Sequence, residues 1–525
     1  MKTSLFSVVT LAVFAGTAAL AAEAVKAKGD PGPQMGVLTP PVGETPRING
    51  PRVFGVRPGR PVLWRIPVTG LRPMRLEAAG LPEGVTFDPT TGWLGGSVAK
   101  KGVYDFSVTA ANAKGRATRR MTLRVGDVIC LTPPLGWNSW NCWGWMVTDE
   151  KMRQAADAMV SSGLADHGWS YIVVDDCWRT RPTQEAAGFP LPDWIPDYSH
   201  MYGQDRTRDG TPLTNPKFPD MKAMADYIHS KGLKAGLYSV PCKTSCCYTH
   251  GSFGNEAKDA ATWAAWGYDL VKYDWCYGDR DYAQIADKRE RQVVAYRLMG
   301  DLLAKQDRDM VYNVCNYGRV DVADWARDVG GQYWRMNDDV QDEWPKVLKA
   351  IDANMNVADA ASPGGWNDPD MLVVGPMRMN KFTKCRLTPN EQYTHMSLWM
   401  IMSAPLFIGC DMARLDPLTL SFLTNDEALD INQDELGIVG RPIEHDGAHD
   451  VWARPLADGS WAFALFNRTE TPRKIDVAFS AFGCGTFRVR DVWAQRDVGS
   501  FADRFQADVY GHATRLFRAY PMNSK

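Results

Sequence analysis

The segment AKDAATWAAWGYDLVKYDWC, residues 257–276, contains the repeating unit that decides the fold. Its first ten residues are helix formers with apolar spacing, and residues 270–275 form a short apolar run typical of a buried strand. Asp274 lies at the end of that run. The segment therefore predicts a helix followed by a strand that ends in a carboxylate.

Similar strand and helix segments alternate from Leu131 to Asp434. The candidate strands are 135–140, 171–176, 233–240, 270–275, 310–315, 333–338, 371–374 and 406–409. Eight such units predict a (β/α)8 TIM barrel at 129–435, with its active site at the carboxyl ends of the strands. Polar residues do cluster at those ends: Asp175, Asp176, Asp274, Asn316, Asp338, Asp339, Asp368 and Asp370.

Two β-rich regions flank the predicted barrel, so the sequence indicates a multidomain protein. Residues 45–128 alternate apolar and polar positions between turns, which predicts an N-terminal β-sandwich. Within it, LPEGVTFDPTTGWLGGS at 81–97 resembles immunoglobulin-like domains of bacterial surface and polysaccharide-degrading proteins. We expect this domain to act as a spacer rather than bind carbohydrate. Residues 436–525 predict a C-terminal antiparallel β domain.

The N-terminus has the features of a secretory signal peptide. Residues 1–22 contain Lys2, an apolar run and an Ala-Leu-Ala cleavage site, and the run is too short for a membrane-spanning helix. We expect cleavage after Ala21 or Ala22 and export to the periplasm or the medium. Residues 23–44, rich in proline and without periodicity, are predicted to be a linker.

Composition excludes several classes of partner. The 525 residues carry a net charge of -2, with 45% hydrophobic and 23% charged residues, so neither nucleic acid nor an anionic membrane surface is indicated. No later segment suggests a membrane span. The 20 Trp residues suit either sugar binding or a protein core.

Six segments, in order, resemble the signature motifs of glycoside hydrolase family 27, the retaining α-galactosidases and α-N-acetylgalactosaminidases. The resemblance covers residues 130 to 435, with the β domain following. The motifs are TPPLGWNSWNCW at 132–143, VVDDCW at 173–178, LKAGLYS at 233–239, LVKYDWC at 270–276, YWRMNDDVQDEW at 333–344 and PGGWNDPDML at 363–372.

The resemblance assigns the two catalytic carboxylates. On local sequence alone, Asp274 is equally consistent with catalysis and with a salt bridge to Lys272. Its match to the family's K-[YF]-D-x-C motif implies that Asp274 is the nucleophile and that Lys272 contacts the sugar. Asp339, four residues after Arg335, matches the acid/base, and Arg335 is implied to bind sugar.

Asp338 and, less strongly, Asp342 are competitors for the acid/base role. Neighbouring residues of a strand face opposite ways, and the spacing from Arg335 favours Asp339. In the implied reaction Asp274 forms a covalent glycosyl-enzyme, while Asp339, kept protonated by its surroundings, protonates the leaving oxygen. No metal or organic cofactor is needed.

The remaining assignments concern the sugar pocket and also follow from the resemblance. Asp175 and Asp176 match a pair that binds the 4- and 6-hydroxyls of galactose, an interpretation favoured over a cation site. Trp137 matches a stacking tryptophan, although a core position is nearly as consistent. Tyr238 and Asp370 match pocket residues, whereas Asp368 is expected to hold a loop. Asn316 lies where relatives recognise the sugar's 2-position.

Two disulfides are implied by the same resemblance, Cys142–Cys177 and Cys246–Cys276. Each would join the ends of neighbouring strands at the rim of the active site. Cys247 could replace Cys246, and buried free thiols are the alternative that export disfavours. An odd count of 11 Cys leaves at least one thiol unpaired.

The expected activity is hydrolysis of terminal α-D-galactosyl residues from an oligosaccharide or polysaccharide. Other family activities are alternatives, namely α-N-acetylgalactosaminidase, β-L-arabinopyranosidase and isomalto-dextranase. A carbohydrate-binding pseudo-enzyme is the alternative from a different class. The presence of both Asp274 and Asp339 weighs against it, because a lectin needs no acid opposite a nucleophile.

Overall fold

A computed structural model of the chain describes residues 32–183, 199–377, 381–483 and 485–522. The predicted signal peptide, residues 23–31 of the predicted linker, and Cys484 lie outside the described residues. From residue 32 onwards the linker segment lies against the barrel, where Met35 N donates to Asn390 Oδ1 at 2.9 Å.

The N-terminal domain is a β-sandwich, as the alternating pattern predicts. Phe106 and Val108 alternate inward with outward Ser107, which is why this segment forms a half-buried strand. One sheet has the order β2-β9-β8-β5, a second has β3-β7-β6, and β1 pairs with β4. The strands are β1 Arg47–Ile48, β2 Val53–Val56, β3 Trp64–Arg65, β4 Val68–Thr69, β5 Arg75–Ala79, β6 Val85–Asp88, β7 Trp93–Gly96, β8 Gly102–Asn112 and β9 Gly115–Val125.

The central domain is the predicted (β/α)8 barrel. Its eight parallel strands are β10 Leu135–Asn138, β11 Tyr171–Val173, β12 Lys234–Ser239, β13 Leu270–Asp274, β14 Val311–Cys315, β15 Tyr333–Arg335, β16 Trp366–Asp368 and β17 Leu406–Ile408. They follow one another around the sheet, and β17 returns to β10. Leu372, just after β16, bridges to Ile408 at the remaining seam.

The seventh strand is not where the sequence pattern put it. The apolar run 371–374 was expected to be the strand, but β16 is Trp366–Asp368. Residues 371–374 are instead buried in irregular backbone beyond the strand's carboxyl end. A buried strand is usually the apolar segment, whereas here the strand is rich in polar residues and the loop after it is apolar. A prediction from hydrophobicity therefore places the strand on the loop.

Helices surround the barrel strands. The α-helices are α1 Trp140–Trp143, α2 Asp149–Ser161, α3 Met221–Ser230, α4 Glu256–Trp266, α5 Gly278–Asp281, α6 Lys288–Ala304, α7 Trp344–Asn354, α8 Pro389–Ile401, α9 Pro417–Leu423 and α10 Asp426–Asn432. Short 3-10 helices are Gly144–Met146, Leu164–His167, Ser199–Met201, Arg319–Asp324, Ala358–Ala360 and Met412–Arg414. Thr388 and Glu391 form a capping box that starts α8. Within the described residues, every helix is too short or too polar to cross a membrane.

The C-terminal domain is antiparallel, as predicted. A sheet in the order β18-β19-β20-β25-β22-β23 is accompanied by the pair β21-β24. The strands are β18 Arg441–His445, β19 His449–Pro455, β20 Trp461–Asn467, β21 Arg473–Ala478, β22 Thr486–Asp491, β23 Arg496–Phe501, β24 Arg504–Val509 and β25 Thr514–Met522. Trp493 Nε1 donates to Ser397 Oγ of α8 at 2.8 Å, which joins this domain to the barrel.

The β-sandwich docks on the end of the barrel opposite the strand carboxyl ends. Arg57 pairs with Asp309, two residues before β14, and Arg65 pairs at 2.7 Å with Asp166, which precedes β11. Both partners lie where strands begin. The sandwich therefore lies at the opposite end of the barrel from the face on which the polar residues collect.

Candidate active site

The predicted catalytic residues meet at the carboxyl ends of β11 to β16. Parallel pairing sets Tyr238 beside Lys272 and Arg335 beside Asp368, so side chains from neighbouring strands reach the same surface. Asp274 is the last residue of β13, opposite Cys315 of β14. The short strands end here, and the side chains project into the space above the barrel core.

Asp274 is enclosed and held by hydrogen bonds. The residue is 4% exposed, and its Oδ2 accepts from the hydroxyl of Tyr238 at 3.0 Å. Its Oδ1 accepts from Trp275 N at 2.7 Å, and Tyr317 donates a further hydrogen bond. Burial raises the pKa of Asp274 to about 6, although Lys272 and the Tyr317 hydroxyl act to lower it. At neutral pH Asp274 is therefore mostly a carboxylate in fixed orientation, as a nucleophile requires.

Lys272 does not form the salt bridge to Asp274 that a purely structural interpretation requires. Its Nζ pairs with Asp175 Oδ2 at 2.8 Å and lies 5.4 Å from the centre of the Tyr238 ring. Burial by itself lowers the pKa of Lys272, but Asp175 and other nearby acids more than offset this and raise it. Lys272 is thus a permanent cation beside Asp274, whose own carboxylate stays available for chemistry.

Asp175 and Asp176 form a buried acidic pair whose protein contacts are donors. Asp175 accepts from Asn138 Nδ2 at 2.8 Å as well as from Lys272. Asp176 accepts from the backbone N–H groups of Cys177 and Cys247 and from two hydroxyls, those of Ser245 and Thr249. Carboxylates held in this way have fixed acceptor directions for hydroxyl groups, which suits recognition of a sugar.

Arg335 connects two further carboxylates. Its guanidinium is buried and pairs with Asp339 Oδ1 at 2.9 Å and Asp370 Oδ1 at 3.0 Å. The Asp339 side chain is 58% exposed, so it reaches from the protein towards the open mouth of the site. An acid/base needs this access, because water must reach it in the second half of a retaining reaction.

The protonation expected for Asp339 is not what its surroundings favour in the free protein. Partial desolvation by the surrounding walls of the site raises the pKa of Asp339, but Arg335 and Lys272 outweigh that effect and hold the pKa below its usual value. The neighbouring Asp370 has its pKa raised by burial. Asp339 is therefore ionised before substrate binds, in contrast to the expectation that its surroundings keep it protonated.

The competitors of Asp339 face elsewhere. Asp338 pairs with Lys349 at 2.9 Å on the surface, and Asp342 pairs with Arg386 at 3.0 Å. The alternation of strand faces does not decide between Asp338 and Asp339, because β15 ends at Arg335. Contact with Arg335 selects Asp339 instead.

Asn316 does not line the pocket as predicted. Its side chain is fully buried, and Nδ2 donates to Gln292 Oε1 and to the Arg319 carbonyl, both at 2.8 Å. The next residue, Tyr317, faces the site and hydrogen-bonds Asp274. The backbone turns at this point, where Tyr317 has a left-handed φ of 63°.

Tyr317 is thus the site residue that sequence reasoning missed. An aromatic residue directly after Asn316, in the C-N-Y-G stretch, was the available signal. Its ring also lies 5.8 Å from the Arg335 guanidinium. Tyr317 therefore contacts both Asp274 and Arg335.

Two other predicted residues have structural roles. Trp137 belongs to the core: it is 1% exposed, and its Nε1 donates to the Cys410 carbonyl at 2.8 Å. This is the alternative to sugar stacking that the local sequence left open. Asp368 accepts from Asp370 N at 2.8 Å and so holds the loop after β16, as expected; burial raises its pKa to about 7.

The structure contains one of the two implied disulfides. Cys246 and Cys276 are bonded, and Cys247 is not the partner. Cys142 and Cys177 are both buried free thiols, so that predicted bond is not formed. Helix α1 carries Cys142 into the barrel core, whereas Cys177 lies in a separate cluster with Cys247 and Met201.

The arrangement defines a class of enzyme. The carboxyl end of the barrel carries an enclosed carboxylate, Asp274, and an accessible one, Asp339. A buried acidic pair and two cations, Lys272 and Arg335, accompany them. These are the elements of a glycoside hydrolase that uses two carboxyl groups. The catalytic apparatus is complete among the described residues, which weighs against a pseudo-enzyme.

Comparison with known proteins identifies the family. The model "Alpha galactosidase A" matches residues 195–434, "Alpha galactosidase C-terminal beta sandwich domain" matches 446–519, and an Ig-domain model matches 45–126. Alpha-galactosidase 2 of Arabidopsis thaliana is 34% identical over 419 residues, 79% of this chain and 95% of that protein. Alpha-galactosidase A of Cellvibrio japonicus is 33% identical over 75% of this chain and 93% of its own.

A solved structure extends the similarity to nearly the whole chain. A Bacteroides fragilis protein, provisionally described as an α-galactosidase/melibiase, is 34% identical with a TM-score of 0.82, over 92% of this chain and 99% of its own. The chain belongs to the α-galactosidase family, glycoside hydrolase family 27.

Proposed function

We propose that the protein is a retaining exo-α-galactosidase that releases terminal α-D-galactosyl residues from oligosaccharides or polysaccharides. The observation that carries this proposal is the contrast between Asp274, enclosed and oriented by Tyr238, and Asp339, open to solvent on Arg335. Family membership adds support, since the curated relatives named above are α-galactosidases.

In the first step, an Asp274 carboxylate oxygen attacks the anomeric carbon as the bond to the leaving oxygen breaks, and Asp339 gives that oxygen its proton. In the second step, water attacks the same carbon, Asp339 takes the proton, and Asp274 leaves as a carboxylate. Lys272 and Arg335 remain charged throughout and stabilise the ionised partners.

Substrate must change the protonation of Asp339 before the first step. In the free protein the pKa of Asp339 is lowered, so Asp339 lacks the proton that an acid must donate, whereas Asp274, with a pKa of about 6, is already mostly a carboxylate at neutral pH. A sugar that fills the mouth of the site removes water from Asp339, which favours its neutral form. Substrate binding therefore converts Asp339 into the protonated acid that the first step needs.

Selectivity for galactose is assigned to Asp175 and Asp176. Their rigid acceptors are suited to the 4- and 6-hydroxyls, and a site built to bind a hydroxyl loses strongly when it is misplaced. Discrimination at the 2-position is now assigned to Tyr317, because Asn316 faces away. We expect the Tyr317 ring to exclude an N-acetyl group there.

A panel of nitrophenyl glycosides tests the assignment. We expect the α-galactoside to be hydrolysed far faster than the α-glucoside and faster than the α-N-acetylgalactosaminide. Equal or faster hydrolysis of the α-N-acetylgalactosaminide would favour that alternative activity. A preference for the β-L-arabinopyranoside, which lacks the 6-carbon, would contradict the role given to the acidic pair.

We further propose that the protein is exported after cleavage at Ala21 or Ala22. The support is the N-terminal sequence pattern. N-terminal sequencing of the protein from the periplasm and the medium of an expressing bacterium tests this, and an intact Met1 on the mature protein would contradict it.

A further inference from the structure

A second pair of cysteines lies beside the sugar-binding carboxylates. The sulfur atoms of Cys177 and Cys247 lie within 4.8 Å of each other and of an Asp176 carboxylate oxygen. Both residues are fully buried, and they pack with Met201, Trp140 and Trp145. The proximity of the two sulfur atoms makes Cys177 and Cys247 candidates for a disulfide.

We propose that Cys177 and Cys247 form a second disulfide that fixes Asp176 in the sugar pocket. The backbone N–H of each cysteine donates to Asp176, at 2.6 Å from Cys177 and 3.0 Å from Cys247. The same two residues would therefore carry both the cross-link and the hydrogen bonds that orient the carboxylate. Cys246, adjacent to Cys247, already binds Cys276, so the two bonds would tie the ends of β11, β12 and β13 together.

A bound metal ion is the other chemistry that this cluster could serve, and the contacts disfavour it. Asp176 already accepts hydrogen bonds from two N–H groups, from Ser245 Oγ at 2.9 Å and from Thr249 Oγ1 at 2.8 Å. Donors pointing at a carboxylate oppose a cation in the same place. The apolar side chains around the sulfurs likewise suit a neutral S–S bond.

The bond forms by exchange with a disulfide carrier, either oxidised glutathione or a protein oxidoreductase. The two thiols give up two protons and two electrons, and the carrier's S–S bond takes them to become two thiols. Burial raises the pKa of both thiols, and the thiolate is the reactive form. We therefore expect the bond to form during folding, before the thiols are enclosed, and to resist reductants in the folded protein.

Peptide mapping decides the proposal. Trypsin places Cys177 in residues 154–179, Cys246 and Cys247 in 244–258, and Cys276 in 273–280. Full-length protein refolded in a glutathione redox buffer, alkylated in denaturant and digested without reductant should give one species containing all three peptides. Fragmentation of that species should place residues 154–179 on Cys247 and residues 273–280 on Cys246. If 244–258 is joined only to 273–280, and Cys177 and Cys247 are alkylated, the proposal is wrong. A bond between Cys177 and any other cysteine, or one equivalent of zinc in the purified protein, would also overturn it.

Variants separate the bond from the rest of the site. Cys247→Ser should release Cys177 for alkylation and lower Tm by about 5 °C. It should raise KM for the nitrophenyl α-galactoside a few-fold with kcat little changed, because Asp176 loses its fixed position. Cys130→Ser is the matched control, since that sulfur contacts the Thr132 carbonyl at 3.4 Å rather than another cysteine. If Cys247→Ser does not fold, the peptide map of the unaltered protein still gives the answer.

Two measurements keep this proposal apart from the proposed activity. Mapping needs no catalysis, so a three-peptide species from an inactive protein would support the bond and count against the activity. An active enzyme with free Cys177 would do the opposite. In the folded protein, dithiothreitol should open the half-buried Cys246–Cys276 bond first; equal loss of both bonds would contradict the buried position of the second.

Discussion

The two halves of the active site are built differently. The half from β11 to β13 places Asp175, Asp176, Tyr238, Lys272 and Asp274 on strands or directly after them, all engaged in hydrogen bonds or ion pairs. The half from β14 to β16 depends on loops and contains the exposed Asp339, the proposed acid/base. One half is therefore enclosed and the other is open.

This difference matches the two roles. A nucleophile must be oriented and kept from water until the sugar arrives, whereas an acid/base must admit water in the second step. It also shows that strand register positions side chains reliably, while loop residues take positions that turns decide.

The largest effect is expected in the enclosed half. Asp274→Ala should reduce kcat for the nitrophenyl α-galactoside by about 10⁴-fold or more, since it removes the nucleophile. Added azide should restore some turnover and give a glycosyl azide of inverted configuration. Asp279→Ala, at an exposed residue of helix α5, is the control. Near-normal activity in Asp274→Ala would show that Asp274 is not the nucleophile.

In the open half, Asp339→Ala should cost roughly 10²- to 10⁴-fold, and most for substrates with poor leaving groups, which depend on protonation. Comparing several nitrophenyl and alkyl galactosides measures this slope. Asp338→Ala, at the neighbouring residue paired with Lys349, should change little. Equal losses for all leaving groups would show that Asp339 is not the acid.

The pH profile tests the enclosed carboxylate directly. For a dinitrophenyl α-galactoside, whose leaving group departs without a proton from Asp339, kcat/KM depends on ionised Asp274 alone. Because the pKa of Asp274 is raised to about 6, kcat/KM for this substrate should fall as pH drops through about 6. At one pH unit below that value, the loss should approach about tenfold. A profile that stays flat down to pH 4.5 would mean that Asp274 is far less buried in solution.

The smallest effect concerns the residue that joins the halves. Tyr317→Phe removes a hydrogen bond to ionised Asp274, so we expect about a tenfold loss in kcat/KM and an acid limb shifted to higher pH. The shift is upward because the lost bond favours the charged form. Tyr510→Phe, in the C-terminal domain and 38% exposed, is the control. An unmoved acid limb would separate Tyr317 from the nucleophile.

Much of this organisation follows from the sequence alone. The three-part architecture, the barrel and the approximate positions of seven of its strands follow from periodicity and turn residues, because burial imposes those patterns locally. The strand-borne residues Tyr238, Lys272 and Asp274 were identified from motifs in which side-chain direction is tied to the strand. For residues on a strand, the place in the sequence therefore nearly determines where the side chain lies in the barrel.

What the tertiary structure decided lies beyond the ends of the strands. At the left-handed turn of Tyr317, the Tyr317 side chain rather than that of Asn316 faces the site. Helix α1 directs Cys142 into the core, and Arg335 lowers the pKa of Asp339. The seventh strand likewise forms at Trp366–Asp368 rather than at the apolar run 371–374 that follows it. Each outcome depends on backbone turns and on charges brought together from distant parts of the chain, and no local pattern of residues encodes either.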